Sequence, residues 1–364
     1  MYKHFRLFLS TALIAATCFF SVPVSAQEHK QHQPEKAVDG INKVEQEIEH
    51  NLEESEEKFD IGQMIMHHIA DSHEWEFSHG VVMPLPVILY SADRGLEVFS
   101  SANFNNEHHA YNGYHLIHGD AEKIVPEDES RTVYDFSITK NVASMLLSAV
   151  ILLLVFTSIG RSYQRNKGKA PKGFQSAMEV IILFIRDDVV KPNVGPKYEK
   201  YLPYLLTLFF FILINNILGL LPGSANLTGN IAVTMTLAVL TFIVVHMNAN
   251  GHYYKHLVRP TGVPLPLLII MIPVEIVGVF MKPFSLMVRL FANMTAGHII
   301  LLSLFGLIFI FQSFVIAPVI SLFALFLNFI EIMVAFIQAF IFTLLSSMYI
   351  GSAIEDNHNA DHGH

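Results

Sequence analysis

Glu275, Lys282, Arg289, Asn293 and His298 all stand inside one apolar stretch, Pro273 to Ile310. A later apolar stretch carries Glu331 and Gln338. A charge at bilayer depth costs at least about 2.5–3.5 kcal/mol, so polar residues placed there point to an ion pathway. His and Glu exchange protons; Arg keeps its charge under all conditions met in proteins. These residue types can therefore load and relay protons on either side of Arg289, but not through it. An Arg snorkelling at a membrane edge is the alternative, and it is disfavoured because apolar sequence runs on from Arg289 to Ile310.

Spacing says which of these side chains share a face. At 100° per residue, Glu275, Lys282 and Arg289, seven apart, drift by only about 20° per step. Ser285 and Asn293 fall within about 40° of Arg289, whereas His298, nine residues on, points about 180° away. Glu331 and Gln338, again seven apart, share a face of the following helix. If that helix runs antiparallel with Gln338 level with Arg289, Glu331 lies about 10 Å and His298 about 13 Å toward the same side. Two polar half-paths result. One passes His298, Glu331 and Asn216 of an earlier helix; the other leaves past Glu275. A fixed cation between them blocks leakage and lowers the pKa of any carboxylate brought near it. Purely structural roles are the competing readings. Gln338 and Asn293 can serve as interhelical hydrogen-bonding glue, Lys282 can be neutralised by Glu275 or snorkel, and Glu331 can pair with His298.

The elements that must position these residues are membrane helices. The chain has 364 residues, 52% of them hydrophobic, and apolar runs of 18 or more recur. Five spans are expected: about Ile138–Ile159, Leu202–Leu221, Asn230–Met247, Leu267–Ile310 and Phe314–Ile350. The last two are about 66 and 55 Å long as unbroken helices, against a hydrocarbon core of about 30 Å. They must be tilted, bent or extended beyond the bilayer, with Pro273, Pro283 and Pro318 as candidate bends and Gln312-Ser313 as the turn between them. Residues Phe174–Val190 mix apolar side chains with Glu179, Arg186, Asp187 and Asp188, which predicts an amphipathic interfacial helix. The fold class is thus an all-α polytopic membrane protein with a small N-terminal region containing β structure.

Residues 1–26 have a basic start (Lys3, Arg6), an apolar run from Leu7 to Phe20 and a small-residue Val24-Ser25-Ala26 site, the pattern of a signal peptide. Export of the chain beyond Ala26 agrees with Arg161, Arg165, Lys167, Lys169 and Lys172 after the first span, a basic cytoplasmic loop. The expected layout is a leader (1–26), an exported acidic His-rich region (27–135), a membrane domain (136–355) and a cytoplasmic tail (356–364), in a bacterial inner membrane. The net charge of −9 is unevenly spread: residues 27–137 hold 23 of the 32 acidic and 7 of the 23 basic residues. Within that region Val87–Tyr90 and Leu96–Phe99 flank Ala92-Asp93-Arg94-Gly95, a hairpin pattern, and Thr132–Phe136 reads as another strand. Its histidines, including His67-His68 and His108-His109, match no metal spacing and read as solvated or half-buried. No metal or cofactor is expected, no basic patch suggests nucleic acid, and no P-loop suggests a nucleotide site. Cys18, the one cysteine, falls in the proposed leader. No internal repeat is present, which argues against most secondary-transporter architectures.

Lys282–Gly297, KPFSLMVRLFANMTAG, together with Phe336–Ile350 and Leu213–Pro222, resembles subunit a (subunit 6) of the F-type ATP synthase membrane sector. The resemblance covers about Ile138 to Glu355. It implies that Arg289 is the family's essential arginine facing a rotating ring, and that Asn293, His298, Glu331 and Gln338 fall on polar-pathway positions. It implies as partners a ring of c subunits, the b stator stalk, the catalytic head and the lipid bilayer. The subunit itself would be non-catalytic, and a stand-alone transporter or channel is the alternative. Many bacterial members carry an acid at the place of His298 and a His at that of Glu331. Here the two are exchanged, as in mitochondrial members. Gly219 stands where some members carry an acid.

Overall fold

The computed structural model describes residues 70–78, 81–106, 109–117, 122–128, 131–165, 168–221, 224–258, 265–311 and 316–354. The proposed leader, the acidic stretch 27–60, the tail 356–364, the pair His67-His68 and the Gln312-Ser313 turn lie outside these residues.

The first part is a small β region whose strands, among the described residues, begin with β1 (Glu74–Ser78) and β2 (Val81–Pro84) and include a short β5 (Ala110–Tyr111). Strands β3 (Pro86–Ser91) and β4 (Gly95–Ser100) form the expected antiparallel hairpin, with Val87 opposite Phe99 and Tyr90 opposite Leu96. Gly95 adopts φ +76°, a value that favours glycine, where the turn enters β4. The expected third strand is β8 (Val133–Asp135), which pairs with the other edge of β3. Alternation along β3 sends Val87 and Leu89 inward, where they meet Phe104, Tyr114, Leu116 and Ile124. Tyr114 and Leu116 belong to β6 (Tyr114–Ile117) and Ile124 to β7 (Lys123–Pro126), two strands of a second sheet.

This region is joined to helix α1 (Lys140–Arg165) by backbone bonds. The N–H groups of Phe136, Ile138 and Lys140 donate to the carbonyls of Ile88, Pro86 and Ser72, and Asn141 N–H donates to Asp71 Oδ1 at 3.1 Å. Just behind this seam His73, 1% exposed, lies 3.4 Å from Glu122 Oε2 and 3.6 Å from Asp135 Oδ2. Those are ion-pair distances rather than hydrogen bonds. Burial alone would lower the imidazole pKa, but the attraction of Asp135 and Glu122 outweighs it and raises the pKa to about 9.

The remainder is helical. Four segments are long and apolar enough to cross a bilayer, Lys140–Arg165, Phe174–Gly219, Pro266–Ile308 and Ile316–Ile354, and Ile231–Met247 is a shorter apolar helix. The expected amphipathic segment is α2 (Phe174–Phe184), but it does not stand apart. A π-turn (Ile185–Val190), a short α3 (Lys191–Val194) and a 3-10 turn (Gly195–Lys197) lead directly into α4 (Tyr198–Gly219). The charges at 186–188 suggested a surface helix, yet Ile185, Val189 and Val190 are buried and Asn193 packs against the C-terminal helix. Gly195, at φ +71°, carries the change of direction before α4.

Helices α5 (Ile231–Met247) and α6 (Gly251–Val258) precede the two long helices α7 (Leu265–Phe311) and α8 (Ile316–Ile354). At 1.5 Å per residue these span about 70 and 58 Å. Pro273 and Pro283 lie inside α7, which remains one helix through both. Among the described residues the main core joins Phe209, Ile212, Leu286, Leu290, Phe342 and Ile350 from α4, α7 and α8.

The His73 cluster yields a pH prediction. A folded-state pKa raised above the ordinary 6.5 contributes stability that is fully present below pH 6.5 and is lost as pH rises through about 9. The contribution is on the order of 3 kcal/mol. Amide exchange at Lys140 and Asn141 should therefore accelerate across pH 7–9 beyond its intrinsic rise, and His73→Gln should remove that excess.

Candidate functional site

The two long helices pack against each other with almost no space at one point. A methyl group on Gly297 of α7 would stand 3.0 Å from Glu331 Cδ and 3.1 Å from its Cγ. Glu331 of α8 therefore lies directly on Gly297, the neighbour of His298. This contact fixes the antiparallel register: residues whose numbers sum to about 628 stand opposite each other. Gln338 is thus level with Arg289, the register that the comparison of the two helices assumed. Farther along, Lys282 Nζ lies 5.3 Å from the centre of the Tyr349 ring, still near that register. Lys282 thus rests on an aromatic face.

Around Glu331 the structure gathers more polar groups than the sequence indicated. Asn216, fully buried on α4, donates its side-chain N–H to the carbonyl of Ala335, one turn from Glu331. The 3-10 turn Leu227–Gly229 closes the other side, with Thr295 of α7 donating to Gly229 O at 3.3 Å. Gly219, at the end of α4, lets Asn226 come close: a Cβ there would be 3.3 Å from Asn226 Oδ1. Asn226 in turn accepts from Gly229 N–H at 3.0 Å.

Within this ring of contacts several buried polar atoms have no hydrogen-bond partner. They are Glu331 Oε2, Asn215 Oδ1, Asn216 Oδ1, Asn226 Nδ2 and Thr228 Oγ1. Each such atom costs about 1–3 kcal/mol unless water reaches it. Native interiors seldom tolerate that, so a concentration of them in one place sets this part of the bundle apart from an ordinary packed core. In the sequence, Asn226 and Thr228 read only as part of a turn. The one signal was a run of Ser, Asn and Thr between two apolar helices.

Arg289 is exposed on the outer surface of the bundle, as is Asn293 on the same face. Among the described residues no carboxylate lies within ion-pair distance of Arg289. Gln338 is buried at 6% exposure. His298 is half-buried and turned away from the Arg289 face by its spacing. Glu275 is half-buried toward the other end of α7 and lies within Coulombic reach of Tyr253 on α6. The seven candidates therefore divide. His298, Glu331 and Asn216 lie toward one end, Gln338 and Asn293 lie near the level of Arg289, and Glu275 stands apart at the other end.

Residues 142–351 match the family model of the ATP synthase A chain. The chain belongs to that family. Curated relatives agree. A subunit a of ATP synthase from Chloroherpeton thalassium is 52% identical over 240 residues, 64% of this chain and 71% of the relative. Another from Chlorobium phaeobacteroides is 43% identical over 311 residues, 83% and 79% of the two chains. One from Anaeromyxobacter is 39% identical over 315 residues, 84% and 72%. As a member of the F-type ATP synthase subunit a family, the chain is a multi-pass protein of the membrane sector. Residues 64–144, which include the β region, match a domain of unknown function.

The Gly297 contact can be tested on the assembled ATP synthase. Gly297→Val drives two methyl groups into Glu331, an overpacking of about 1–3 kcal/mol. Proton-driven ATP synthesis in membrane vesicles should fall by at least about tenfold, corresponding to about 1.4 kcal/mol, with a smaller loss for Gly297→Ala. Wild-type rates in both would remove Glu331 from its place against α7.

Proposed function

We propose that this subunit provides two offset proton half-channels to a rotating ring of carboxylate-bearing subunits. The inlet is the polar cluster of Asn216, Asn226, Thr228 and Glu331, with His298 on the neighbouring turn of α7, opening on the exported side. The outlet leads past Glu275 to the cytoplasm. Arg289 stands between them and faces the ring, with Asn293 beside it and Gln338 behind.

The observation that carries this reading is the pairing of an exposed, carboxylate-free Arg289 with a separate cluster of buried unpartnered polar atoms around Glu331. A proton entering by water reaches His298 or Glu331, which can hold it and pass it to a ring carboxylate. Arg289 cannot accept it, so the loaded carboxylate must travel round the ring. On arriving beside Arg289 from the outlet side, that carboxylate is driven to release its proton by the guanidinium charge. Each proton crossing about 100 mV supplies about 2.3 kcal/mol, so several drive each ATP made in the catalytic head. The ring, the b stalk and the head are the partners this reading requires. The basic loop after α1 supports a bacterial inner-membrane orientation with the β region outside the cytoplasm and the C-terminus inside.

Arg289→Ala should abolish proton-driven ATP synthesis while the complex still assembles, as judged by co-purification of ring and stalk subunits. Synthesis at the wild-type rate would overturn the assignment. Of the two α8 residues, Glu331→Gln should slow passive proton flux through the membrane sector far more than Gln338→Asn. Equal and negligible effects would make Glu331 a structural residue.

A further inference from the structure

We infer that His246 is a proton-relay residue of the outlet path, acting inside a cavity between α5, α6, α7 and α8. The inference rests on the two-half-path reading and adds to it the group that carries protons between the level of Arg289 and Glu275.

A small half-open cavity, with about 20 Å³ of room for water, lies where these four helices meet. Its walls include Thr241 and His246 of α5, Tyr253 of α6, Lys282 of α7 and Tyr349 of α8. Apolar side chains complete it, so the polar groups converge on a small space with room for at least one ordered water. The cavity is bracketed by the two ends of the proposed outlet. Tyr349 on one wall lies within Coulombic reach of Arg289, and Tyr253 on another lies within Coulombic reach of Glu275.

His246 is the wall residue equipped to move a proton. Its Nδ1 lies 2.9 Å from the carbonyl of Phe242. A carbonyl can only accept, so Nδ1 carries the hydrogen and Nε2 is left with its lone pair. Nε2 has no hydrogen-bond partner among the described residues. The ring is also held in place by packing, 3.9 Å from the Phe242 ring centre, 5.9 Å from Tyr253 and 6.4 Å from Tyr254. In the step proposed, Nε2 takes a proton from cavity water to give imidazolium, with Nδ1 still bonded to Phe242. It then returns that proton to water on the Glu275 side, and the ring ends neutral as it began. Lys282 is the cation that faces the cavity from α7. Tyr253, Tyr254 and Tyr349 are the other titratable groups that face the ring or its cavity from α6 and α8, with Glu275 beyond Tyr253.

The test uses the assembled ATP synthase in inverted vesicles, whose outer face is the cytoplasmic side, and measures ATP-driven proton pumping against external pH. His246→Ala should slow pumping by about tenfold or more, the lower range for a proton-transfer group, and lose any inflection in the imidazole range. Imidazole added outside should restore part of the rate. His246→Phe keeps the aromatic packing and should be as slow as His246→Ala, without rescue. Wild-type rates with an unchanged pH profile in His246→Phe would overturn the proposal, as would a slow His246→Ala that imidazole fails to restore. Glu275→Gln, measured in parallel, separates the two levels. Slowing by Glu275→Gln with no effect at His246 defeats only this inference, whereas wild-type pumping in Glu275→Gln defeats the outlet reading itself.

Discussion

The close approach of α7 and α8 at Gly297 is the constraint on which the rest depends. With no side chain at that position, Glu331 sits on the α7 backbone, and the antiparallel register of two very long helices is set. That one contact determines the level of Gln338 beside Arg289, the seating of Lys282 on Tyr349, and the gathering of Asn216 beside Ala335. A bulkier residue would separate the helices or slide them, and every pathway distance would change together.

The two ends of the bundle treat their polar groups differently. Far from Glu331, Asn250 donates its side-chain N–H to Ile354 O, and Lys200 donates to Asn248. Those groups act as fasteners. Around Glu331 the orphaned atoms of Asn215, Asn216, Asn226 and Thr228 have no such role. In hydrocarbon such atoms are costly, and the proposed inlet would let water reach them. Gly219 contributes by what it lacks. At that position the chain brings the side chain of Asn226 close, so the proposed inlet relies on water and neutral dipoles there and on Glu331 and His298 for proton exchange.

Much of this was legible from residues alone. The seven-residue spacings of Glu275, Lys282 and Arg289, and of Glu331 and Gln338, already placed them on shared faces, and the alternation at Val87–Tyr90 with Asp93-Arg94-Gly95 gave the hairpin. The features that stayed hidden did so for physical reasons. Gly297 has no side chain to announce a helix contact. Asn226 and Thr228 look like ordinary turn residues until three helices close over them. His246 ends an apolar helix and gains meaning only from a cavity built by residues as distant in sequence as Tyr349. The helix at 174–184 joins α4 because Ile185, Val189 and Val190 find a core partner in α8, which no local pattern reveals. His73 was one histidine among many until the fold set Glu122 and Asp135 on either side of it.

Cysteine accessibility tests the central claim of two separate half-paths most directly. The sequence has a single native cysteine, Cys18, so a thiol introduced in the membrane domain reports on its own position. Thr228→Cys and Glu331→Cys, in the assembled complex, should react with a membrane-impermeant thiol reagent only from the exported face. His246→Cys and Glu275→Cys should react only from the cytoplasmic face. Labelling of both pairs from one and the same face would mean a single continuous pore and would contradict the account.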